Sequence, residues 1–190
     1  MKTRNVNTTS DYLNFDATLN KAIRLLKKDK KKYKIAFLTI VGINVGLRIS
    51  DILNLKHKDL QGDTISLIEQ KTGKNRLIKI NDAINDAYII YCEKLKLINS
   101  EDYLFISQKG GVFTIRQVNR LLKSIFGTKD KNVSSHSLRK TFGRRVWQND
   151  GESERALIML SKIFNHTSTS TTRIYLGIQQ EEINDIYMNL

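Results

Sequence analysis

Apolar residues along the 190-residue chain fall mostly at helical spacing, with one interruption of strand-like character. Leu19, Ala22, Ile23 and Leu26 stand at i, i+3, i+4 and i+7, which predicts an amphipathic helix running into the charge run KKDKKKYK. The stretch YKIAFLTIVGINVG is apolar nearly all round and predicts a central buried helix that stops near Gly46. Ser50 and Asp51 then read as the N-cap and first-turn acid of a short helix, DILNLK.

The interruption is DTISLIEQ and NRLIKI, which alternate or run apolar on either side of KTGK. That pattern predicts a β-hairpin with lysines at its tip. Helical spacing resumes over residues 82 to about 97, followed by a short extended piece, EDYLFIS. A Thr114 and Gln117 capping box opens TIRQVNRLLKSIF. SHSLRKTFGRRVWQNDG predicts a helix closed by Gly151, and ESERALIMLSKIF another. Ile183, Ile186, Tyr187 and Leu190 repeat the helical spacing in a short last helix with no evident partner. The expected fold is mainly α with a small β-hairpin, an α+β arrangement. Residues 1 to about 14 are polar and aperiodic. With no proline and no Gly/Ser-rich linker, a single domain with an N-terminal extension is expected.

Charge narrows the class of partner. Lys and Arg number 32 against 19 Asp and Glu, a formal net charge of +13, which favours a polyanion and first of all nucleic acid. A merely solvated basic face is the competing reading of charge alone. One cysteine, Cys92, excludes an internal disulfide and fits a reducing, cytoplasmic location. No run approaches the ~20 apolar residues that span a bilayer, so no membrane partner is expected.

The candidate chemistry is cationic and phenolic. His136 and Arg139, three apart on a predicted helix, leave the same face, and Lys140, Arg144 and Arg145 follow with no acid before Asp150. Arg48 directly follows the buried helix, where a long side chain ordinarily caps or snorkels. Lys71 stands at the hairpin's end, where a lysine ordinarily just keeps a strand edge soluble. His166 and Tyr175 would lie ~13.5 Å apart on opposite faces of one continuous helix. A shared site therefore requires a bend, for which the intervening Ser/Thr tract, THR-rich from Thr167 to Thr172, is suited.

In combination these pieces resemble the tyrosine recombinase (phage integrase) family over residues 35 to 177. GLRISDILNLKHKDL is similar to its first-arginine box, KTGKNRLIKI to its lysine hairpin, HSLRKTFG to its HxxR box, and FNHTSTSTTRIY to its last histidine and nucleophile. The resemblance implies that Arg48 and Arg139 grip the scissile phosphate and that Tyr175 attacks phosphorus to leave a 3′-phosphotyrosine. It implies Lys71 as general acid toward the 5′-oxygen, His136 as proton acceptor or phosphate orienter, and His166 as a phosphate hydrogen-bonder. It also implies double-stranded DNA as partner, dimers or tetramers on DNA from a chain weakly associating or monomeric alone, and no cofactor or metal.

Two departures stand out. Asn165 occupies the place where the family commonly has glycine, a turn that an αL-tolerant asparagine can fill. Ser137 and Lys140 replace an acid and a second histidine of the HxxR box. Residues 1–34, an extension plus first helix, are too few for the core-binding domain that most members carry. The expectation is thus a catalytic domain over 35–177, with 178–190 as a C-terminal helix able to dock on a neighbouring protomer or back on its own domain. The competing functions are a non-catalytic DNA-binding regulator of the same fold and a relaxing topoisomerase.

Overall fold

The computed structural model describes residues 10–95 and 97–190. Among these, helix α1 (Phe15–Lys28) opens on Asn14, whose side chain caps Ala17 N, and buries Ala22 and Leu26 along the expected stripe. Helix α2 (Tyr33–Val45) is buried on every side from Ile35 to Ile43. It ends at Gly46 in the left-handed region, φ 62°. A Cβ there would meet the Phe142 ring at 2.3 Å, so glycine is required by both conformation and space.

Helix α3 (Ile49–Leu53) begins earlier than expected: Arg48, not Ser50, holds the N-cap position, and Ser50 lies inside the helix. The Arg48 carbonyl already accepts from Asp51 N and Ile52 N, at 3.0 and 3.1 Å, so the first helical turn is closed before Ser50 can act as a cap. Asp51 is in the first turn as expected, but it is buried and accepts a hydrogen bond from Gln70 N at 3.0 Å. A 3₁₀ turn, His57–Leu60, was not foreseen; its buried His57 meets the Tyr88 hydroxyl at 2.9 Å.

Strands β1 (Thr64–Ile68) and β2 (Asn75–Lys79) pair antiparallel with Ile65 opposite Ile78 and Ile68 opposite Asn75. The connecting turn runs through Glu69–Lys74 and is closed by Glu69 N to Lys74 O and Gly73 N to Glu69 O. Helix α4 (Asp82–Glu93) stops short of residue 97. Its buried stripe is Ile84, Ala87 and Tyr91; Leu95 still packs against the core just past the helix end, whereas Leu97 is exposed. EDYLFIS forms only isolated bridges, Lys56 with Tyr103 and Ile106 with Val112.

Helix α5 (Ile115–Phe126) has the Thr114–Gln117 capping box in both directions. Helix α6 (Ser135–Asn149) is capped by Ser134 and left through Gly151 at φ 63°. Helices α7 (Glu154–Phe164), α8 (Thr169–Leu176) and α9 (Ile178–Met188) complete the described chain. The N-terminal extension falls partly outside the described residues. Its described part is no loose polar arm: Leu13 is buried and its N–H donates to Thr141 on α6 at 2.9 Å.

Two apolar clusters result. The larger gathers α1 to α5 with β1 around Phe37, Phe105 and Tyr91, with the Tyr91 ring stacked on Phe37 at 4.5 Å and Phe105 tilted against it at 5.8 Å. The smaller gathers Trp147, Leu157, Leu160, Phe164, Leu176 and Ile178 from α6 to α9. Helix α6 joins them, with Leu138 in the first and Trp147 in the second. Of the last helix only Ile178 is buried; Ile183, Ile186, Tyr187 and Leu190 are exposed, so this stripe does not pack back on its own domain.

Candidate active site

An open pocket of about 700 Å³ lies along the seam between the two clusters. Arg48, Lys71, His136, Arg139, His166 and Tyr175 all line it, delivered by the start of α3, the hairpin turn, α6, the α7–α8 corner and α8. A helix C-terminus organises it. The last carbonyls of α7 have no partner inside the helix, and three guanidiniums supply one: Arg48 and Arg139 both donate to Phe164 O, at 3.3 and 3.1 Å, and Arg76 donates to Ile163 O at 2.7 Å. The negative end of the helix dipole favours these cations as well.

Each arginine has a second anchor. Arg139, only 5% exposed, donates to Gly46 O at 2.6 Å and lies over the Phe164 ring at 4.4 Å. Burial lowers its pKa to about 10, still leaving it charged near neutrality. Arg48 donates to Glu69 Oε2 at 2.9 Å. A guanidinium has five N–H donors, so each keeps donors free for an anion in the pocket.

The corner that turns the chain is narrower than the Ser/Thr tract. Asn165 takes the left-handed conformation, φ 56°, that was expected of it, and His166 N returns to Ser161 O at 2.8 Å. Ser168 caps α8, but Ser170, Thr171 and Thr172 continue as helix, so the tract supplies a cap and a first turn rather than the whole bend. Thr172 is buried and its hydroxyl meets His166 Nδ1 at 3.0 Å, which orients that ring. Gly143 on α6 lets α8 come close: a Cβ there would lie 2.6 Å from Leu176.

Tyr175 packs edge-on against His166 and Phe164, ring centroids 5.2 and 5.5 Å away, with Lys140 Nζ 5.4 Å from its ring centre. Its hydroxyl is buried and makes no hydrogen bond to the described residues. Burial pushes its pKa up to about 12, against the opposing pull of the Arg139 and Arg48 charges and of the Arg139 guanidinium close beside the hydroxyl, which is near it without full hydrogen-bond geometry. His136 and His166 are both held below the usual histidine value, first by burial and then by neighbouring cations: Lys140, Arg139 and Lys71 for His136, Arg139 and Arg48 for His166. Both imidazoles are therefore neutral at pH 7 and able to accept a proton.

A model of the phage integrase family matches residues 12–182. The chain belongs to that family. A probable integrase/recombinase, YoeC of Bacillus subtilis (strain 168), is 34% identical over 166 residues, covering 86% of each chain. Tyrosine recombinase XerC of the same organism is 27% identical over 154 residues, 76% of this chain and 49% of XerC. The chain thus spans about half the length of its XerC relative. Among solved structures, XerA recombinase superposes with a TM-score of 0.69 at 25% identity, over 97% of this chain and 66% of XerA. XerH site-specific recombinase, captured on its difH substrate after cleavage, gives 0.63 at 24% identity over 95% and 53%. By sequence and fold this integrase is a tyrosine recombinase, a class of DNA strand transferases.

Sequence reading missed several residues of the site. Glu69, Thr72, Lys74, which donates to the already noted Asn165, and the Phe164 carbonyl all shape the pocket. The carbonyl has no signature in the side-chain alphabet. Glu69, next to a turn rich in lysine, reads as a solvated acid; its one signal is that it ends an apolar strand.

Proposed function

We propose that this integrase cleaves and rejoins double-stranded DNA at specific sites through a 3′-phosphotyrosine, with residues 35–177 as its catalytic domain. The observation that carries the reading is the buried Tyr175 hydroxyl beside the Arg139 guanidinium, in a pocket shared with two anchored arginines. Arg48 and Arg139 clamp the non-bridging oxygens of the scissile phosphate and stabilise the charge that grows there. Tyr175 Oη attacks phosphorus while neutral His136 accepts its proton. As the P–O5′ bond breaks, Lys71 on the hairpin turn protonates the leaving oxygen. His166, oriented by Thr172, donates its ring N–H to a non-bridging oxygen of the phosphate. Rejoining reverses each step with a second 5′-hydroxyl as attacker, so bond energy is kept and no ATP enters the balance.

The exposed stripe Ile183, Ile186, Tyr187 and Leu190 supports docking of α9 on a neighbouring protomer, and thus dimers or tetramers on DNA. The test of function is strand transfer on a plasmid bearing two candidate sites, with analysis of the cleaved ends. Recombinant circles, protein joined to 3′ ends, free 5′-hydroxyls and indifference to EDTA support the reading. Relaxation of a plasmid lacking any site would instead show a topoisomerase.

A further inference from the structure

The proposed mechanism gives Lys71 and Arg48 work on the same phosphate, yet they come from different elements, and Lys71 sits in a turn. Glu69 connects them. Its carboxylate is almost completely buried, at 2% exposure, and its Oε2 accepts from both Arg48 Nη1 at 2.9 Å and Thr72 Oγ1 at 2.7 Å. Its Oε1 faces Arg76 Nε at 3.2 Å, and Arg76 is itself tied to α7. Thr72 is the immediate neighbour of Lys71. On the other side of Lys71, Gln70 N donates to Asp51, three residues beyond Arg48. Lys71 is thus flanked by two links to α3, one of which passes through a carboxylate that also holds Arg48.

We propose that Glu69 is a positioning residue of the strand-transfer reaction, which locks the Lys71 turn to Arg48 so that general acid and phosphate clamp are presented as one unit. This rests on the tyrosine recombinase reading of the pocket and on Lys71 as its general acid. A buried acid between two guanidiniums has a structural use too, but stability alone does not demand it, since such ion networks can be replaced by apolar packing without loss. The shared oxygen is what a structural role does not need: it couples a backbone turn to the orientation of a guanidinium.

A substrate whose leaving group needs no acid separates the alternatives. In the normal step the Tyr175 Oη–P bond forms, the P–O5′ bond breaks and Lys71 gives its proton to the 5′-oxygen. With sulfur in the 5′ bridging position the P–S bond breaks and a thiolate departs unprotonated, because a thiol has a pKa of only ~8.5. Single-turnover covalent-adduct formation is measured on both nicked duplexes for wild type, Lys71→Ala, Glu69→Ala and Thr72→Val, each checked by thermal melting.

Lys71→Ala is expected to lose roughly 100-fold on the oxygen substrate and to recover on sulfur. Thr72→Val, which frees the turn while leaving Arg48 on Glu69, should lose about 10-fold on oxygen and recover on sulfur. Glu69→Ala should lose more on oxygen than on sulfur, and should add little in a Lys71→Ala background. Equal losses on the two substrates for both Thr72→Val and Glu69→Ala would overturn the proposal while Lys71→Ala still recovers. If Glu69→Ala fails to fold, Thr72→Val alone decides. A Lys71→Ala defect that sulfur does not rescue would instead overturn the underlying assignment of the acid.

Discussion

The two arginines and the tyrosine of this site are held in opposite ways. Arg48 and Arg139 each have two anchors, on Glu69, Gly46 O and Phe164 O, and these tie α2, the hairpin and α7 together. Tyr175 has no such anchors among the described residues: rings pack its sides, and its buried hydroxyl has only the Arg139 guanidinium beside it. The arginines bridge the two clusters, from Gly46 O at the end of α2 and Glu69 of the hairpin to Phe164 O of α7, whereas Tyr175 rides on α8 with the smaller cluster that includes Leu176 and Ile178. Under the proposed function the difference teaches a division of labour: the two arginines that would clamp the phosphate are organised before it arrives, and the Tyr175 hydroxyl is kept for the reaction.

Substitutions can break that contrast, and the largest effect belongs to the clamp. Arg139→Ala should slow adduct formation by roughly 1,000-fold. It should also cost about 2–3 kcal/mol of stability, because Gly46 O and Phe164 O lose a buried donor. Single-turnover cleavage and denaturant melts check the two parts. Leu176→Ala, under the nucleophile, should cost about 2–3 kcal/mol through the cavity it leaves. It should reduce the cleavage rate while DNA affinity stays near wild type, as measured by fluorescence anisotropy; equal damage to affinity would erase the distinction between the two regions.

Smaller effects sharpen the picture. If about six phosphates are neutralised, log K should fall with log salt at a slope near −5. In the free protein, histidine NMR titration should place His136 and His166 below 6.5, the ordinary value, because burial and nearby cations disfavour the imidazolium. The sign for stability follows: between 6.5 and the lowered values the unfolded chain binds more protons, so folding weakens as pH falls through that window. Smallest of all, replacing Ile183, Ile186 and Tyr187 with Ser should change unfolding free energy by less than about 0.5 kcal/mol each. The same replacements should remove self-association on DNA in analytical ultracentrifugation.

Much of this was legible in the chain because its elements carry strong local signals. The all-round apolar run of α2, the alternation of the hairpin and the Thr114–Gln117 box each specify an element by themselves. The six candidate residues stood out as an ordered set through resemblance, and in the fold they line one pocket. What was not legible depends on partners distant in sequence. Asp51 and Glu69 look like solvated acids until tertiary contacts bury them against Gln70 N and Arg48. Ser50 has the composition of a cap, yet the Arg48 carbonyl closes the first turn and α3 starts before it. The Ser/Thr tract favours turns, but only Ser168 acts as the cap, since buried Thr172 holds His166 from within the helix.

The central claim is that Tyr175 becomes covalently joined to DNA. A nicked suicide duplex carrying a site native to the gene's own flanks, incubated with wild type and with Tyr175→Phe, tests it when the product is digested and mapped by mass spectrometry. The account predicts a nucleotide adduct on the peptide containing Tyr175 in wild type and no adduct in the variant, with DNA still bound. An adduct on another residue, or one that survives Tyr175→Phe, would contradict it.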